Sequence, residues 1–449
     1  MSSLMVSVSG IRGIVGESLT PDVIIDYVRA FALRKPAGTF ILGRDSRVSG
    51  PMIVSLIKGV LSSLGNHVID LGIVPTPTVL LMIDELKADG GIIVTASHNP
   101  KEWNALKLAS EKGIFLNSDE AEAMQKNLSK KDYPLMPWDK LGRLQEDKTA
   151  VERHIERICA LVDTELIKNE HFTVALDCVN GAGGVMTPLL LKRLGCTVHT
   201  INEEPHGLFP RDPEPVPTHL KELEALVKKT KAHIGFAHDP DVDRLALVTE
   251  KGKAPGEEYT LALAVENVLE KSKGDVVCNY STSSLTEEAA RRNGCSLYRA
   301  PVGEANVARE IIRRNAVIGG EGNGGVIYPA LHVTRDAPMG VALILELMAR
   351  RKKTLSQLVE SFPPFVMIKE KKTFSTLEER KEALEALEKH QFPEAGGIDT
   401  KDGLRLSFDS GWIHIRPSGT EPAIRVIGES TDRAWLEGRI KEMWRILEA

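Results

Sequence analysis

The sequence predicts an α/β protein in which three repeated α/β units, with mixed and mostly parallel sheets, precede a smaller α+β domain. Two observations support this prediction. A strand–helix–strand pattern occurs three times along the chain, and the pattern changes after Phe365.

Each repeated unit joins an apolar, β-branched run to a loop of small polar residues, an amphipathic helix, a closing glycine and a second apolar run. The units open with FILGRDSRVSG, TVALDCVNGAGG and DVVCNYSTSS. Their closing glycines, Gly65, Gly195 and Gly294, stand where a helix ends in the left-handed conformation. This order of elements predicts parallel strands covered by helices.

The tail has one helical stretch, LEERKEALEALEKH, and three strand-like runs, LRLSFDSG, WIHIRPSG and AIRVIGES. A final amphipathic helix, DRAWLEGRIKEMWRILEA, follows. Several strands with so few helices predict an antiparallel sheet. We therefore expect domains at residues 1–147, 148–250, 251–366 and 367–449.

Length and composition set the class of protein. The chain has 449 residues, which at about 150 residues per domain predicts about three domains, with two or four also admissible. Apolar residues make up 42% and charged residues 27%, as in ordinary globular proteins. Lys and Arg number 57 against 62 Asp and Glu, a net charge of −5, so neither nucleic acid nor a membrane is expected as a partner. A local basic site for a small anionic substrate remains compatible with this charge.

Location and redox state follow from what the sequence contains. We find no run of about 18 apolar residues, as a membrane span requires, and no signal-peptide pattern. The five cysteines are sparse and never spaced C-x-x-C. This usage favours reduced, buried thiols, and we expect a cytoplasmic protein.

The first chemical motif is Ser97-His98-Asn99-Pro100, directly after the strand-like GGIIVTA. A serine at the carboxyl end of a parallel strand lies where open α/β sheets bind ligands. It could act as a nucleophile, with His98 or Lys107 moving protons. Asn-Pro is also a common turn signal, and taken alone the motif is better interpreted as a plain turn.

The second motif, DPDVDR, places Asp239, Asp241 and Asp243 at alternate positions. Three such carboxylates suit a hard divalent cation such as Mg²⁺ or Ca²⁺. An EF-hand is excluded because Arg244 occupies the position of its glycine and an apolar run follows. A solvated acidic turn is the alternative, but adjacent apolar residues would leave the repulsion unrelieved, so we favour a metal site.

The third motif is the glycine-dense GGEGNGG, which carries Glu321 and Asn323. Glycine lets the backbone approach a ligand, and a carboxylate with an amide can bind sugar hydroxyls. A flexible turn fits the glycines equally well.

The fourth motif is RPSGTEP, with Arg416, Ser418, Gly419 and Thr420. A guanidinium, two hydroxyls and converging backbone amides form a plausible phosphate site. An ordinary surface turn is the competing interpretation.

Together these motifs resemble the α-D-phosphohexomutase superfamily over the whole chain. The resemblance rests on TASHNP with Lys107, DPDVDR, GEGNGG and RPSGTEP, in that order and one per predicted domain. GIRG at 10–13 and GRDSR at 43–47 add two further pieces. Each piece alone is weak, but the ordered set is specific.

The resemblance implies four domains around a central cleft. It implies a phosphoserine at Ser97 and Mg²⁺ held by Ser97 and the three aspartates. It further implies Arg12, His98, Lys107 and Arg244 as catalytic residues. The four domains would carry, in order, the phosphoserine, the metal, the sugar site and the phosphate site.

The implied reaction interconverts hexose 1-phosphate and hexose 6-phosphate through a hexose 1,6-bisphosphate. Because a phosphoserine carries about −1.5 to −2 charges, a metal and arginines must offset it. A lysine such as Lys107 acts as a base only if burial or neighbouring cations lower its pKa.

The chain departs from the common family patterns in three loops. Ala105 stands where glycine is usual, and the sugar loop has Asn323 and Gly325 in place of serine and histidine. A loop that supplies histidine in some members reads Gly303-Glu304. The motifs look most like the phosphoglucosamine mutase branch, which borders phosphomannomutase/phosphoglucomutase. We expect glucosamine phosphate as substrate, Gly303 in its binding, and a monomer or homodimer.

Two other classes of protein fit these motifs less well. A phosphoserine-forming phosphatase also pairs a serine with metals, but that chemistry uses several metal ligands including histidines. A non-catalytic sugar-phosphate binding protein would not need Ser97, the acidic triplet and Lys107 together.

Overall fold

The computed structural model describes residues 4–8, 10–129, 133–418 and 422–448, which form four sheets. The first sheet has seven strands in the order β1-β2-β6-β5-β3-β4-β7. The elements of this first domain are β1 (Met5–Ser7), β2 (Gly10–Ile14), α1 (Pro21–Ala32), β3 (Thr39–Arg44), α2 (Gly50–Ser63), β4 (His67–Ile73), α3 (Thr76–Glu85), β5 (Gly90–Val94), β6 (Trp103–Ser110), α4 (Ser118–Leu128) and β7 (Leu144–Glu146).

The second and third sheets have four strands each, in the orders β11-β10-β8-β9 and β13-β12-β14-β15. The second domain contains α5 (Ala150–Cys159), α6 (Thr164–Lys168), β8 (Thr173–Asp177), α7 (Thr187–Arg193), β9 (Thr197–Ile201), α8 (Lys221–Thr230), β10 (Ile234–His238) and β11 (Leu245–Thr249). The third contains α9 (Glu258–Lys271), β12 (Val276–Asn279), α10 (Ser284–Arg292), β13 (Leu297–Ala300), α11 (Glu304–Arg314), β14 (Ile318–Glu321), β15 (Gly325–Ile327), α12 (Ala337–Arg351) and α13 (Leu355–Glu360).

The fourth sheet has five strands, all antiparallel, in the order β16-β20-β19-β18-β17. Its elements are β16 (Val366–Thr373), α14 (Leu377–Lys389), β17 (Gly397–Asp399), β18 (Leu404–Phe408), β19 (Gly411–Pro417), β20 (Ala423–Ser430) and α15 (Arg433–Leu447). Short 3₁₀ helices occur at Trp138–Lys140, Ala182–Val185 and Pro217–His219.

The first three sheets contain the same four-strand unit. In each, three parallel strands are followed by a fourth that pairs antiparallel with the third: β3 to β6, β8 to β11 and β12 to β15. The three closing glycines have φ between +66° and +81°, as a left-handed helix end requires. The predicted fold class, three repeated α/β units and an antiparallel C-terminal domain, is confirmed.

The hydrophobic core divides the molecule differently from the sheets. One cluster of buried side chains runs through the first three domains, from Leu80 through Ile155 to Leu343. The fourth domain has a core of its own, around Ile413 and Ile440. The first three domains therefore pack as one body, to which the fourth is attached. Among the described helices none is both long enough and apolar enough to cross a membrane.

Candidate active site

The Ser97 loop follows β5 and is held in a strained backbone conformation. Ser97 has φ +49°, in the left-handed region that costs a non-glycine residue about 1–3 kcal/mol. The Ser97 N–H donates to Thr95 Oγ1 at 2.9 Å, and the side chain is buried. Such strain persists only where the surroundings hold it, as they do here.

Arg47, from the GRDSR motif, holds the Ser97 loop in place through the backbone carbonyls of the loop. Its guanidinium donates to the carbonyls of Ser97 and Asn99 at 2.6 and 2.7 Å and to those of Pro100 and Trp103 at 2.6 and 2.9 Å. The fifth donor, Nε, contacts Asp45 Oδ2 at 3.0 Å. All five guanidinium donors of this fully buried arginine are therefore used, four of them on backbone carbonyls of residues 97–103. The sequence singled out this motif but not its task.

Strand register places Arg12 and Lys107 on the same face of the sheet. Gly10 pairs with Lys107 and Arg12 pairs with Ala105 across β2 and β6. A Cβ on Gly10 would lie 1.9 Å from the Leu106 carbonyl oxygen, so only glycine allows this approach. Arg12, Ser97 and Lys107 line one small cavity of about 140 Å³.

The acidic triplet lies in the loop between β10 and β11. Val242 has φ +65°, unusual for a β-branched residue, and turns the loop so that the three carboxylates converge. Oxygens of Asp239, Asp241 and Asp243 lie within 4.8 Å of one another, and all three side chains are fully buried.

The two loops meet across the boundary between the first and second domains. Ser97 Oγ donates to Asp239 Oδ2 at 2.7 Å. Lys107 Nζ donates to Asp241 Oδ2 at 2.6 Å and lies 3.7 Å from Asp243 Oδ2. Thr76 Oγ1 donates to the same Asp241 oxygen at 2.8 Å. The structure therefore brings the predicted serine, lysine and triplet together.

Charge shifts the titration of this group strongly. Burial, and then the adjacent Asp241 and Asp243, raise the pKa of Asp239 well above its usual value. The pKa of Asp241 is lowered despite burial, because Lys107 and several hydrogen bonds stabilise its charge. Burial lowers the pKa of Lys107, but Asp241 and Asp243 outweigh it and the net shift is upward. In this arrangement Lys107 is an ammonium group, opposite to what a resting base needs.

The triplet fits a divalent cation. Asp241 Oδ1 and Asp243 Oδ1 are buried oxygens without a hydrogen-bond partner among the described residues. Buried carboxylate oxygens are costly unless a donor or a cation satisfies them. Three carboxylates with the adjacent Ser97 hydroxyl form an all-oxygen donor set, which is typical of Mg²⁺ and Ca²⁺ sites.

Sequence reasoning missed Arg335, which joins the triplet to the third domain. Its guanidinium donates to Asp243 Oδ2 at 2.5 Å, Glu304 Oε2 at 3.1 Å and Glu321 Oε2 at 2.9 Å. Arg335 is buried. No local motif marked it, because its three partners lie 14 to 92 residues away in sequence.

The predicted sugar loop lies between β14 and β15. Glu321 Oε1 accepts from Asn279 Nδ2 at 2.8 Å and from the Gly303 N–H at 2.9 Å. Asn323 Oδ1 accepts from the Gly325 N–H at 3.2 Å. Arg335, followed by Asn279 and Gly303, lowers the pKa of Glu321 in spite of its burial. The loop thus presents a fixed, ionised carboxylate beside the triplet.

Two further predicted residues surround the serine. His98 Nδ1 lies 3.5 Å from Ser97 Oγ, and Arg244 and burial, then Arg12, lower its pKa well below the usual value. Arg244 Nη1 donates to Glu214 Oε1 at 3.0 Å. Arg12 Nη1 donates to Asn99 Oδ1 at 3.1 Å. His98 is therefore neutral among cations suited to an anionic ligand.

The predicted phosphate motif lies at the end of β19 in the fourth domain. Arg416 Nε lies 3.7 Å from Asp402 Oδ2, and the Ser418 carbonyl accepts from Arg380 at 2.7 Å. Burial lowers the pKa of Arg416, while the charges of Asp402 and, more weakly, Glu321 oppose that shift. Gly419 and Thr420 lie outside the described residues.

The fold and the site together define a phosphohexomutase, an isomerase of phosphorylated sugars. Four sequence profiles match consecutive parts of the chain: phosphoglucomutase/phosphomannomutase α/β/α domains I, II and III at residues 4–134, 152–252 and 256–365, and the C-terminal domain at 367–445. The chain belongs to the phosphoglucomutase/phosphomannomutase family.

Relatives agree on the family but differ in their named substrates. A "probable phosphoglucosamine mutase" of Methanopyrus kandleri is 38% identical over 95% of this chain and 94% of its own. A phosphoglucomutase/phosphomannomutase of Thermococcus kodakarensis is 37% identical over 96% of both. A phosphoglucosamine/phosphogalactosamine mutase of Sulfurisphaera tokodaii is 32% identical over 98% of both.

Solved structures share the fold over nearly the whole chain. A family protein from Burkholderia thailandensis superposes with a TM-score of 0.86 at 26% identity, covering 99% of this chain and 96% of its own. The N-acetylphosphoglucosamine mutase of Aspergillus fumigatus, solved with GlcNAc-6P and magnesium, has a TM-score of 0.62 at 15% identity, covering 99% and 95%.

Proposed function

We propose that this phosphohexomutase interconverts hexose 1-phosphate and hexose 6-phosphate through a phosphoserine at Ser97 and a hexose 1,6-bisphosphate. The observation that supports this most directly is the hydrogen bond of 2.7 Å from Ser97 Oγ to Asp239, within a buried acidic triplet. A phosphoryl group on that oxygen would lie against any cation the triplet holds.

The proposed metal is Mg²⁺, held by Asp239, Asp241, Asp243 and an oxygen at Ser97. Such an ion offsets negative charge on a transferring phosphoryl group. The chain's own part is to fix the serine. The carbonyl contacts of Arg47 and the strained φ of Ser97 hold Oγ toward the triplet. Phosphoryl transfer depends mainly on such positioning and on charge stabilisation.

Arg12, Arg244, Lys107 and His98 are proposed to act on the reacting phosphate and hydroxyl. The two arginines supply fixed cations, His98 Nδ1 lies 3.5 Å from Ser97 Oγ, and Lys107 lines the same small cavity as Ser97, where its ammonium group would donate a proton. Proton transfer needs a group within hydrogen-bond reach of the reacting oxygen. These roles follow from the resemblance and the positions of the side chains.

The third and fourth domains are proposed to hold the sugar and its other phosphate. Glu321, Asn323 and Gly303 would meet the sugar, and Arg416, Ser418, Gly419 and Thr420 would bind the phosphate that is not transferring. After the first transfer, the bisphosphate must turn so that its other phosphate reaches Ser97. The separate core of the fourth domain supports a domain that can open while the first three stay packed.

For the substrate we propose glucosamine phosphate, with mannose and glucose phosphates as the alternative. Several relatives at 33–38% identity are named for glucosamine, and one at 37% for phosphoglucomutase/phosphomannomutase. An ionised Glu321 would also suit the ammonium group of glucosamine, because a carboxylate accepts a stronger hydrogen bond from a cationic donor than from a neutral hydroxyl.

An isomerisation panel tests both levels of the proposal. Glucosamine, glucose, mannose and N-acetylglucosamine 1-phosphates are incubated with enzyme, Mg²⁺ and a hexose 1,6-bisphosphate, and products are separated as 6-phosphates or free phosphate. We expect glucosamine 6-phosphate to form fastest. Faster mannose or glucose conversion would transfer the assignment to the alternative, and free phosphate without isomer would indicate a phosphatase.

Three broader predictions accompany this proposal. The four domains, divided near residues 148, 250 and 366, carry in order the phosphoserine, the metal, the sugar site and the phosphate site. The protein acts as a monomer or homodimer. We also propose a cytoplasmic location, because reduced thiols are typical there and all five cysteines are free.

A further inference from the structure

A wide cavity lies between the third and fourth domains, apart from the serine and the triplet. Its volume is about 750 Å³, within the range of about 300–1,000 Å³ typical of small-molecule sites. One wall is formed by β13 and α11, and the other by the segment from β17 to β18.

The lining of this cavity carries more cationic than anionic side chains, although the chain as a whole carries a net charge of −5. Six cationic side chains line it against two anionic ones, Glu310 and Asp399. Within the lining, Glu310 pairs with Arg313 and Arg314, and Asp399 pairs with Lys401. From outside it, Glu287 and Asp275 approach Arg299 and Arg314 at 3.1 and 4.0 Å, which leaves two cations in excess. The cations are Arg299, Arg309, Arg313, Arg314, Lys401 and Arg405.

Arg405 forms no ion pair within the part of the chain that the structure describes, and its guanidinium lies 4.8 Å from the centroid of the Trp412 ring. Burial, and then the charge of Arg299, lower the pKa of Arg405 to about 10. Arg405 donates to neutral oxygens, the Tyr280 carbonyl at 3.3 Å and Ser407 Oγ at 3.1 Å. An anion in the cavity would relieve this repulsion, because opposite charge stabilises a buried guanidinium.

The cavity also offers flat and apolar surface. The Arg314 guanidinium lies 3.2 Å from the centroid of the Tyr298 ring, which makes a stacked platform. Leu297, Pro301 and Ile398 line the same space. This combination suits a ligand with a flat or apolar body as well as negative charge.

The cavity and the candidate active site share a wall but not lining residues. Asp402 Oδ2 accepts from the Val302 N–H at 2.8 Å and lies 3.7 Å from Arg416 Nε. On the other side of Val302, the Gly303 N–H donates to Glu321. A ligand in the cavity would therefore contact both domains directly behind the segments that hold the proposed sugar and phosphate residues.

We propose that this cavity is a second ligand site, which binds a phosphorylated organic molecule of nucleotide size between the third and fourth domains. Several cations along two walls match a molecule that carries two or more negative charges. Its binding would hold the fourth domain against the third.

Calorimetric titration of the full chain with ADP, and separately with inorganic phosphate, tests this proposal. The test variant is Arg309→Glu/Arg313→Glu. The matched control is Arg291→Glu, because Arg291 and Arg313 are both exposed and each pairs with a glutamate three residues earlier on its helix. Hydrogen–deuterium exchange with ADP locates the bound ligand.

We expect ADP to bind wild type and control equally and the test variant at least about tenfold more weakly, since one charge-assisted hydrogen bond to the ligand contributes about that factor in affinity. Amides at 304–314 and 397–403 should gain protection, and inorganic phosphate should bind at least about tenfold more weakly than ADP. Unchanged affinity in the test variant, protection confined to residues 95–100 and 416–418, or phosphate binding as tight as ADP would each overturn the proposal. Normal mutase turnover of the test variant shows that it is folded.

Discussion

The Ser97 hydroxyl donates to Asp239 across 142 residues of sequence and across the boundary of two domains. Both residues occupy the same place in their repeats, the loop between the third parallel strand and the antiparallel fourth strand. The Glu321 loop occupies that place in the third repeat. Ligands bind at the carboxyl ends of parallel strands, so one repeated topology has supplied three different loops to one site.

Ser97→Ala should remove mutase activity almost completely while the protein stays folded, because alanine lacks the hydroxyl that donates to Asp239 and is proposed to carry the phosphoryl group. Intact mass of active wild type should include a phosphate adduct that maps to Ser97. The Ser97→Gly variant provides a second test. Glycine adopts a φ of +49° without strain, so this variant should be inactive but should unfold at a temperature equal to or higher than that of wild type. Near-normal turnover in either variant would remove Ser97 from the mechanism.

Asp243→Asn and Asp239→Asn should weaken Mg²⁺ binding and turnover together, because each removes one charged oxygen from the triplet. Chelator should abolish wild-type activity, and added Mg²⁺ should restore it. Direct metal titration of each variant provides a readout that does not depend on activity. Asp212→Asn, exposed and outside the triplet, is the control. Unchanged metal affinity in both triplet variants would exclude this metal site.

Arg335→Lys should lower kcat by about 10- to 100-fold, the usual cost of losing a group that orients site residues. Lysine keeps the charge but cannot contact Asp243, Glu304 and Glu321 in fixed geometry. Arg335→Ala should in addition destabilise the protein by about 3–5 kcal/mol, since three buried carboxylates lose their cation. Steady-state kinetics with thermal unfolding separates the two effects. Wild-type kcat in Arg335→Lys would contradict a positioning role.

Arg416→Ala should raise KM for substrate and for bisphosphate before it affects the chemistry, because this arginine is proposed to bind the phosphate that is not transferring. A charge-assisted arginine–phosphate hydrogen bond is worth about 1.5–3 kcal/mol, or about 10- to 150-fold in affinity. Arg416→Lys should recover part of that affinity, since the charge remains but the fork does not. Unaltered KM for both ligands would require another phosphate site.

Glu258 gives a pH-dependent prediction for the junction of the third and fourth domains. Burial raises its pKa to about 7, against the opposing effect of Lys369, whose Nζ donates to it at 2.9 Å. The folded protein then binds this proton more tightly than the unfolded chain. The contribution of this proton to the free energy of unfolding is therefore complete below about pH 4.5, and it is lost as the pH rises toward 7.

Glu258→Gln should remove that pH-dependent decline, so the variant should gain stability relative to wild type between pH 5 and 8, by as much as about 3 kcal/mol. Thermal unfolding of wild type and variant at pH 5 and at pH 8 measures the difference in stability. Glu257→Gln is the control, because it breaks a second ion pair of Lys369 but leaves Glu258 in place. A gain of equal size at both pH values would contradict this account.

The elements and the separate motifs could be predicted from the sequence because their signals are local. Helix-ending glycines such as Gly65, apolar strand runs and the alternate spacing of Asp239, Asp241 and Asp243 all depend on neighbours within a few residues. The sequence also singled out Arg12, from GIRG, without showing that it lines the same cavity as Lys107. Strand register, which a Cβ at Gly10 would block, decides that placement.

By itself the sequence determined the fold class, the order of four motifs and the kind of chemistry each could perform. Only the tertiary structure decided which side chains meet. Arg335 joins Asp243, Glu304 and Glu321, and Arg47 shapes the Ser97 loop, through partners up to 92 residues away. The physical reason is that buried charges must find opposite charge or hydrogen bonds wherever packing brings them together. No spacing along the chain records that packing.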